Sequence, residues 1–217
     1  MRLNTMFVLG AALCSASLYA QGPKTTHWTG PAHQSVEPAE VQPATLQKLF
    51  SNLGSSTDAY YADSGWTLSG PESTNGFTQF VALPFTVSAN AHVKKLVAAA
   101  TYNASGANQV NLSLYDDANG APGTLIAGPV TVTNLEAFGG CCKLAIATFS
   151  TGVAITGGAQ YWVVADTPNT GTGSDFSGVW NFVALPNDFF GINLGAGWNS
   201  YQASTSEPAG AVYGSIP

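Results

Sequence analysis

Residues 138–145 read FGGCCKLA and set Cys141 and Cys142 side by side behind Gly139 and Gly140. Neighbouring cysteines have three options: a two-residue disulfide ring, two free thiols, or bonds to another chain. The third cysteine, Cys14, falls in an N-terminal segment with the layout of a signal peptide, so no other partner is left in the processed chain. A disulfide normally spans Cα atoms about 4.4 Å or more apart, whereas neighbours across a trans peptide sit about 3.8 Å apart. A ring therefore pushes the peptide toward cis, at about 3–4 kcal/mol, and closing so small a loop returns roughly 1 kcal/mol. Such a ring does not serve global stability. It makes a rigid, apolar knuckle, either a hard contact surface for a ligand or a clamp on its own loop. We favour the ring, and the clamp over the contact surface. A redox role needs a thiolate lowered by nearby cations, and only Lys143 is close in sequence.

Three other groupings carry chemical potential. Asp116, Asp117 and Asn119 form an acidic turn that invites a calcium reading, but no glutamate follows at the spacing of a calcium loop. Asn119-Gly120 and Pro122-Gly123 already account for a hairpin turn there. Trp66, Trp180, Trp198 and Tyr201 lie near turns or strand ends, among short amides such as Asn199. Flat rings with a few polar groups are the material of a sugar site, although tryptophans in β-sandwiches also serve as core packing. Catalysis has less to stand on. His92 is the only histidine outside the N-terminal stretch, and neither G-x-S-x-G nor H-E-x-x-H occurs. Two of Asp166, Asp175 and Asp188 working as a glycosidase pair is the one hydrolytic arrangement left open. No cofactor motif is present, and no metal site is assigned beyond the weak calcium candidate.

What elements would position these residues? Residues 1–20 read as a signal peptide, with Arg2 ahead of an apolar run too short to span a bilayer and Ala20 before the cut. Residues 21–56 read as a flexible leader, rich in Pro, Gln, Thr and His. Within it, Leu46, Leu49, Phe50 and Leu53 at helical spacing, with Pro43 before and Gly54 after, predict a short helix near 43–53. From residue 57 to 217 the period becomes two. In GFTQFVALPFTVS, Phe77, Val81, Leu83, Phe85 and Val87 share one face, and Gln79 is the exception. VKKLVAAA, NQVNLSLYDD, TLIAGPVTVTN, KLAIATF, AQYWVVAD, SGVWNFVALP, GWNSYQAS and AVYG continue the series. About nine short strands between Gly, Pro, Asn and Asp turns predict an all-β protein, an antiparallel β-sandwich.

The order of an extended FTV run, a strand closing in LYDDANGAPGTLIAG, then AQYWVVAD and a final AVYG resembles the jelly-roll ectodomains of secreted bacterial proteins called choice-of-anchor domains. The resemblance covers about residues 57–214 and rests on turn and strand signals. It implies an extracellular β-sandwich of unassigned activity, usually tethered to a surface; this chain ends in AVYGSIP without the family's C-terminal anchor.

Charge excludes whole classes of partner. Twelve acidic residues stand against six basic ones, for a formal net charge of −6, and Arg2 is the only arginine. Nucleic acid and anionic membrane surfaces both demand clustered Lys and Arg, which the chain does not provide. No later stretch is long and apolar enough to insert into a membrane after signal cleavage. The expectation is a secreted protein, extracellular or periplasmic, acting without chemistry of its own. Its role is structural or interactive at the cell exterior, with a surface protein or a polysaccharide as partner. The alternatives are a carbohydrate-binding module using the aromatic and amide patch and, more distantly, a glycoside hydrolase.

Overall fold

Alternation of apolar and polar side chains at a period of two is a pattern that only extended chain can bury on one side. A computed structural model describes residues 22–30, 33–34, 46–54, 59–184, 189–203 and 206–217, and they form an all-β fold of several, mostly antiparallel sheets. One six-stranded sheet runs Trp198–Gln202, Phe189–Asn193, Phe80–Thr86, Gln160–Asp166, Gln109–Asp117, Pro122–Thr133. A second has the order Thr25–His27, Tyr61–Ser69, Ser177–Val183, Ala100–Ser105, Glu136–Ala137, with Glu207–Pro208 also paired to Ser177–Val183. A four-stranded sheet has the order Ala145–Ile155, Ala91–Ala98, Gly210–Ser215, Gln47–Ser51. Two short pairings are parallel: Gly140–Cys141 with His33–Gln34, and Glu136–Ala137 with Ala100–Ser105.

One core joins the sheets. Val81, Leu83, Phe85, Leu112, Leu114 and Val163 come from the first sheet, Leu68 and Trp180 from the second, and Val93, Leu96 and Val212 from the third. The arrangement is sandwich-like, as the strand period predicts. The face of the first sheet turned away from this core carries a smaller cluster, Ala82, Trp162 and Val164, with Tyr115 and Trp198 packed on it. The hairpin at 118–121 follows from its sequence: Asn119 at φ 59° and Gly120 at φ 81° both take the left-handed conformation of a type I′ turn.

Two expectations on elements need correction. The short helix near 43–53 is absent where the chain is described; Gln47–Ser51 is an edge strand paired with Gly210–Ser215. Residues 43–45 of that span lie outside the described residues. A regular strand would turn Leu49 and Phe50 to opposite faces. Here the register slips between Val212 and Tyr213, and the irregularity lets Leu49, Phe50 and Leu53 all reach the core. Pairing with an open sheet edge thus overrides a helical spacing.

The count of about nine strands is also low. Tyr61–Ser69, Ala100–Ser105 and Phe189–Asn193 are further strands, and short pairings such as Thr25–His27 add more. Thr25–His27 and His33–Gln34, inside the stretch read as a leader, are paired into sheets.

Candidate functional site

Trp66 and Trp180 stand opposite each other across the pair Tyr61–Ser69 and Ser177–Val183, yet their surroundings differ. Trp180 is fully buried and donates its indole N–H to the Ala209 carbonyl at 2.7 Å. As a candidate ligand platform it is corrected: its ring is core. Trp66 sits at the rim, half-buried, with its ring stacked on Phe190 at 4.2 Å and 21° and meeting Phe182 edge-on at 5.3 Å. Phe190 stacks in turn on Tyr201 at 5.9 Å, so three rings form a ladder.

Beside this ladder opens a cleft of about 200 Å³, walled by Trp66, Phe182 and Phe190 and edged by Thr25, Gln202 and Ser206. The Trp66 Nε1 is buried and has no hydrogen-bond partner among the described residues. A buried donor left unmade costs about 1–3 kcal/mol. It is the single such side-chain atom among the described residues. The ring faces would take apolar surface from a molecule in the cleft, and an acceptor oxygen that reached the indole N–H as the wall opened would recover that cost.

The remaining sequence candidates do not converge here. Trp198 lies on the opposite face of its sheet, packed on the Trp162 cluster, and Asn199 is exposed on an edge strand opposite Ile192. Trp66 and Tyr201 are brought together, and only through Phe190. Phe182, Phe190, Gln202 and Ser206 escaped sequence reasoning. The paired phenylalanines Phe189 and Phe190, between the runs SGVWNFVALP and GWNSYQAS, were the one available signal.

The cysteine pair shapes a loop. Cys141 and Cys142 are joined across a cis peptide, half-buried against the core. Around them the loop is tied down at several points. The Tyr60 hydroxyl donates to the Lys143 carbonyl at 3.1 Å and to that of Gly140 at 3.4 Å. The Phe138 and Gly139 amides donate to the carbonyls of Tyr102 and Ala62. Burial, with the nearby Glu136 carboxylate adding, holds the Tyr60 hydroxyl well above the usual tyrosine range, so it remains a donor at any physiological pH. These ties are those of a clamp.

The acidic turn has its oxygens committed. Asp117 Oδ1 accepts from Gln160 Nε2 at 2.7 Å and Trp162 Nε1 at 2.8 Å, and its Oδ2 accepts from the Gly120 amide at 3.0 Å. Asp116 Oδ1 accepts from the Thr124 amide. Asn119 supplies the turn conformation. The turn is thus a hydrogen-bonded hairpin, and no group of three His, Cys, Asp or Glu side chains placed to hold a metal occurs among the described residues. The melting temperature of the protein is accordingly expected to be the same in excess chelator and in millimolar calcium, as followed by circular dichroism.

Of the three carboxylates considered for hydrolysis, Asp175 accepts from the Ala107 amide at 3.0 Å, and Asp188 lies outside the described residues. Asp166 is perturbed: burial raises its carboxyl to about 6, with a hydrogen bond from Asn111 pulling the other way. It raises the nearby Tyr115 hydroxyl in turn, after burial itself. No protein family, curated protein or solved structure matches this chain.

Proposed function

We propose that the chain is a secreted, non-catalytic interaction protein of the cell exterior. Its ligand would be an uncharged, hydroxyl-rich molecule, a polysaccharide above all, taken up at the Trp66 cleft. The observation that carries this reading is the buried Trp66 indole N–H, without a partner among the described residues, beside a wall of stacked rings. A sugar supplies both complements, an oxygen acceptor and an apolar ring face. A net charge of −6 with one arginine is in keeping with a neutral partner. The signal-like N-terminus supports export, and we read the sheets as a jelly-roll-like sandwich on the strength of the resemblance and the shared core. Of the structural or interaction role expected from sequence, the interaction role is preferred because the cleft offers a place for a ligand.

Binding of the chain from Gln21 onward to immobilised glycans and cell-wall polysaccharides tests the reading. Trp66→Phe keeps an aromatic ring in the stack and removes the donor. It is expected to weaken a saturable glycan interaction by about tenfold, the equivalent of one hydrogen bond of about 1.4 kcal/mol. Trp198→Phe, on the far face, is expected to leave it unchanged. A folded protein with no saturable glycan, or a glycan bound equally by the Trp66→Phe variant, would count against the cleft.

A further inference from the structure

Gln79, the polar exception on an otherwise apolar strand face, is fully buried, and its side chain holds a peptide group 55 residues away. The Lys24 amide donates to Gln79 Oε1 at 2.7 Å, and Gln79 Nε2 donates back to the Lys24 carbonyl at 2.8 Å. The same Nε2 donates to the Thr67 carbonyl at 2.8 Å, while the Thr67 amide donates to the Lys24 carbonyl at 3.1 Å. A primary amide side chain that satisfies both halves of a residue's main chain reads backbone, as a neighbouring strand would. From there the segment runs antiparallel along Tyr61–Ser69, with Thr25 opposite Trp66, Thr26 opposite Gly65 and His27 opposite Ser64.

The far end is anchored by a ring. The Trp28 amide donates to the Asp63 carbonyl at 2.7 Å, and its indole meets Phe138 edge-on at 5.9 Å. Gly139, at φ 90°, lies under that indole so closely that a Cβ there would stand 2.7 Å from it. The groove thus has a main-chain reader at one end, a sheet edge along its length and an aromatic slot at the other. Those are the parts of a strand-addition peptide site. Its occupant here is the chain's own segment Lys24–Trp28.

We propose that this groove is a strand-acceptor site and that the Lys24–Trp28 segment of a second copy also fills it, joining copies by strand exchange. The contacts are the same in either case, so exchange costs little beyond the entropy of association. Residues 29–46 lie between the segment and Gln47–Ser51, and 18 residues can reach about 60 Å, enough to enter a neighbouring molecule. A tethered segment competes with its copies at an effective concentration of roughly millimolar. Exchange therefore becomes substantial where the protein is crowded, as in a surface layer. The inference does not depend on the glycan reading, although Thr25 edges the cleft.

The Thr26 and Thr67 hydroxyls lie 2.8 Å apart across the groove, which sets up the test. A Thr26→Cys copy and a Thr67→Cys copy, distinguishable by mass and each starting at Gln21, are mixed under oxidising conditions. The expected result is a disulfide-linked pair of unlike copies whose yield rises with protein concentration and falls when Gln79→Ala is added to the acceptor copy. The double variant Thr26→Cys/Thr67→Cys is expected to close within one chain when dilute. A mixture that stays monomeric while the double variant closes overturns exchange. A double variant that does not close overturns occupancy of the groove, and equal cross-linking of Thr67→Cys with itself overturns specificity.

Discussion

Trp180→Ala is expected to destabilise the protein by about 3–5 kcal/mol, the range for removing a fully buried tryptophan. The ring is completely enclosed, its residue facing Trp66 and Ala100 across the two neighbouring strands, and a Cβ on Gly210 would stand 3.7 Å from its Cζ2. Truncation also leaves the Ala209 carbonyl without the indole donor. That loss is comparable with much of the stability of an ordinary domain, about 5–15 kcal/mol. For a chain of about 200 residues it lowers the melting temperature by roughly 10 °C or more. Trp180→Phe, which keeps most of the volume and loses the hydrogen bond, falls between the parent and the alanine variant. Near-ultraviolet circular dichroism during heating reads both. A Trp180→Ala protein that melts within two or three degrees of the parent would refute the core assignment. A glycan interaction lost in this variant says nothing about the ligand, because the cleft residue Trp66 leans on the same strand pair.

The contrast between Trp66 and Trp180 marks where sequence stopped being informative. Trp66 directly follows Gly65 and Trp180 lies two residues after Gly178, each sits in a run of small and apolar residues, and both read equally as platform or core. The difference lies in what meets them: the main chain at Ala209 and Gly210 packs on the ring of Trp180, while Trp66 stacks on Phe190 at the rim of a cleft. Period-two alternation made Phe80–Thr86, Gln109–Asp117 and Gln160–Asp166 legible, because a strand's faces are fixed by its own residues. The strand nature of Ala91–Ala98, despite its alanines, was legible from its neighbours in the chain. Gln79 was visible as an anomaly in the alternation, but its reason was not, since Lys24 comes from a stretch with no apolar period at all. Gln47–Ser51 was misread for a related cause: its pairing partner lies at the other end of the chain. Local pattern gives faces, and long-range pairing decides which face meets what.

Asp166 links that packing to pH. Its ordinary carboxyl value of 3.8 is raised to about 6, mainly because the carboxylate is buried at the edge of the Trp162 cluster. A carboxyl raised on folding binds its proton more tightly in the folded state than in the unfolded one. Its contribution to stability is therefore complete below pH 3.8 and is lost as pH rises through 6. The shift corresponds to roughly 3 kcal/mol at neutral pH, by about 1.4 kcal/mol per unit, and relaxation around a half-buried group brings the observable figure down to about 1–3 kcal/mol. Asp166→Asn keeps the shape and an acceptor oxygen for Asn111 while removing the charge. The variant is expected to match the parent near pH 3.5 and to exceed it by about 1–3 kcal/mol at pH 8, with the difference opening between pH 4 and 6. Urea unfolding of both proteins across that range measures the difference directly, and contributions from every other titrating group cancel. The tyrosine titration supplies an independent reading: without the Asp166 charge the Tyr115 hydroxyl ionises at lower pH, though burial still holds it up. A stability difference that stays flat from pH 4 to 8 would mean that the carboxylate is solvated. The outer cluster would then be a loose face rather than a second, smaller core.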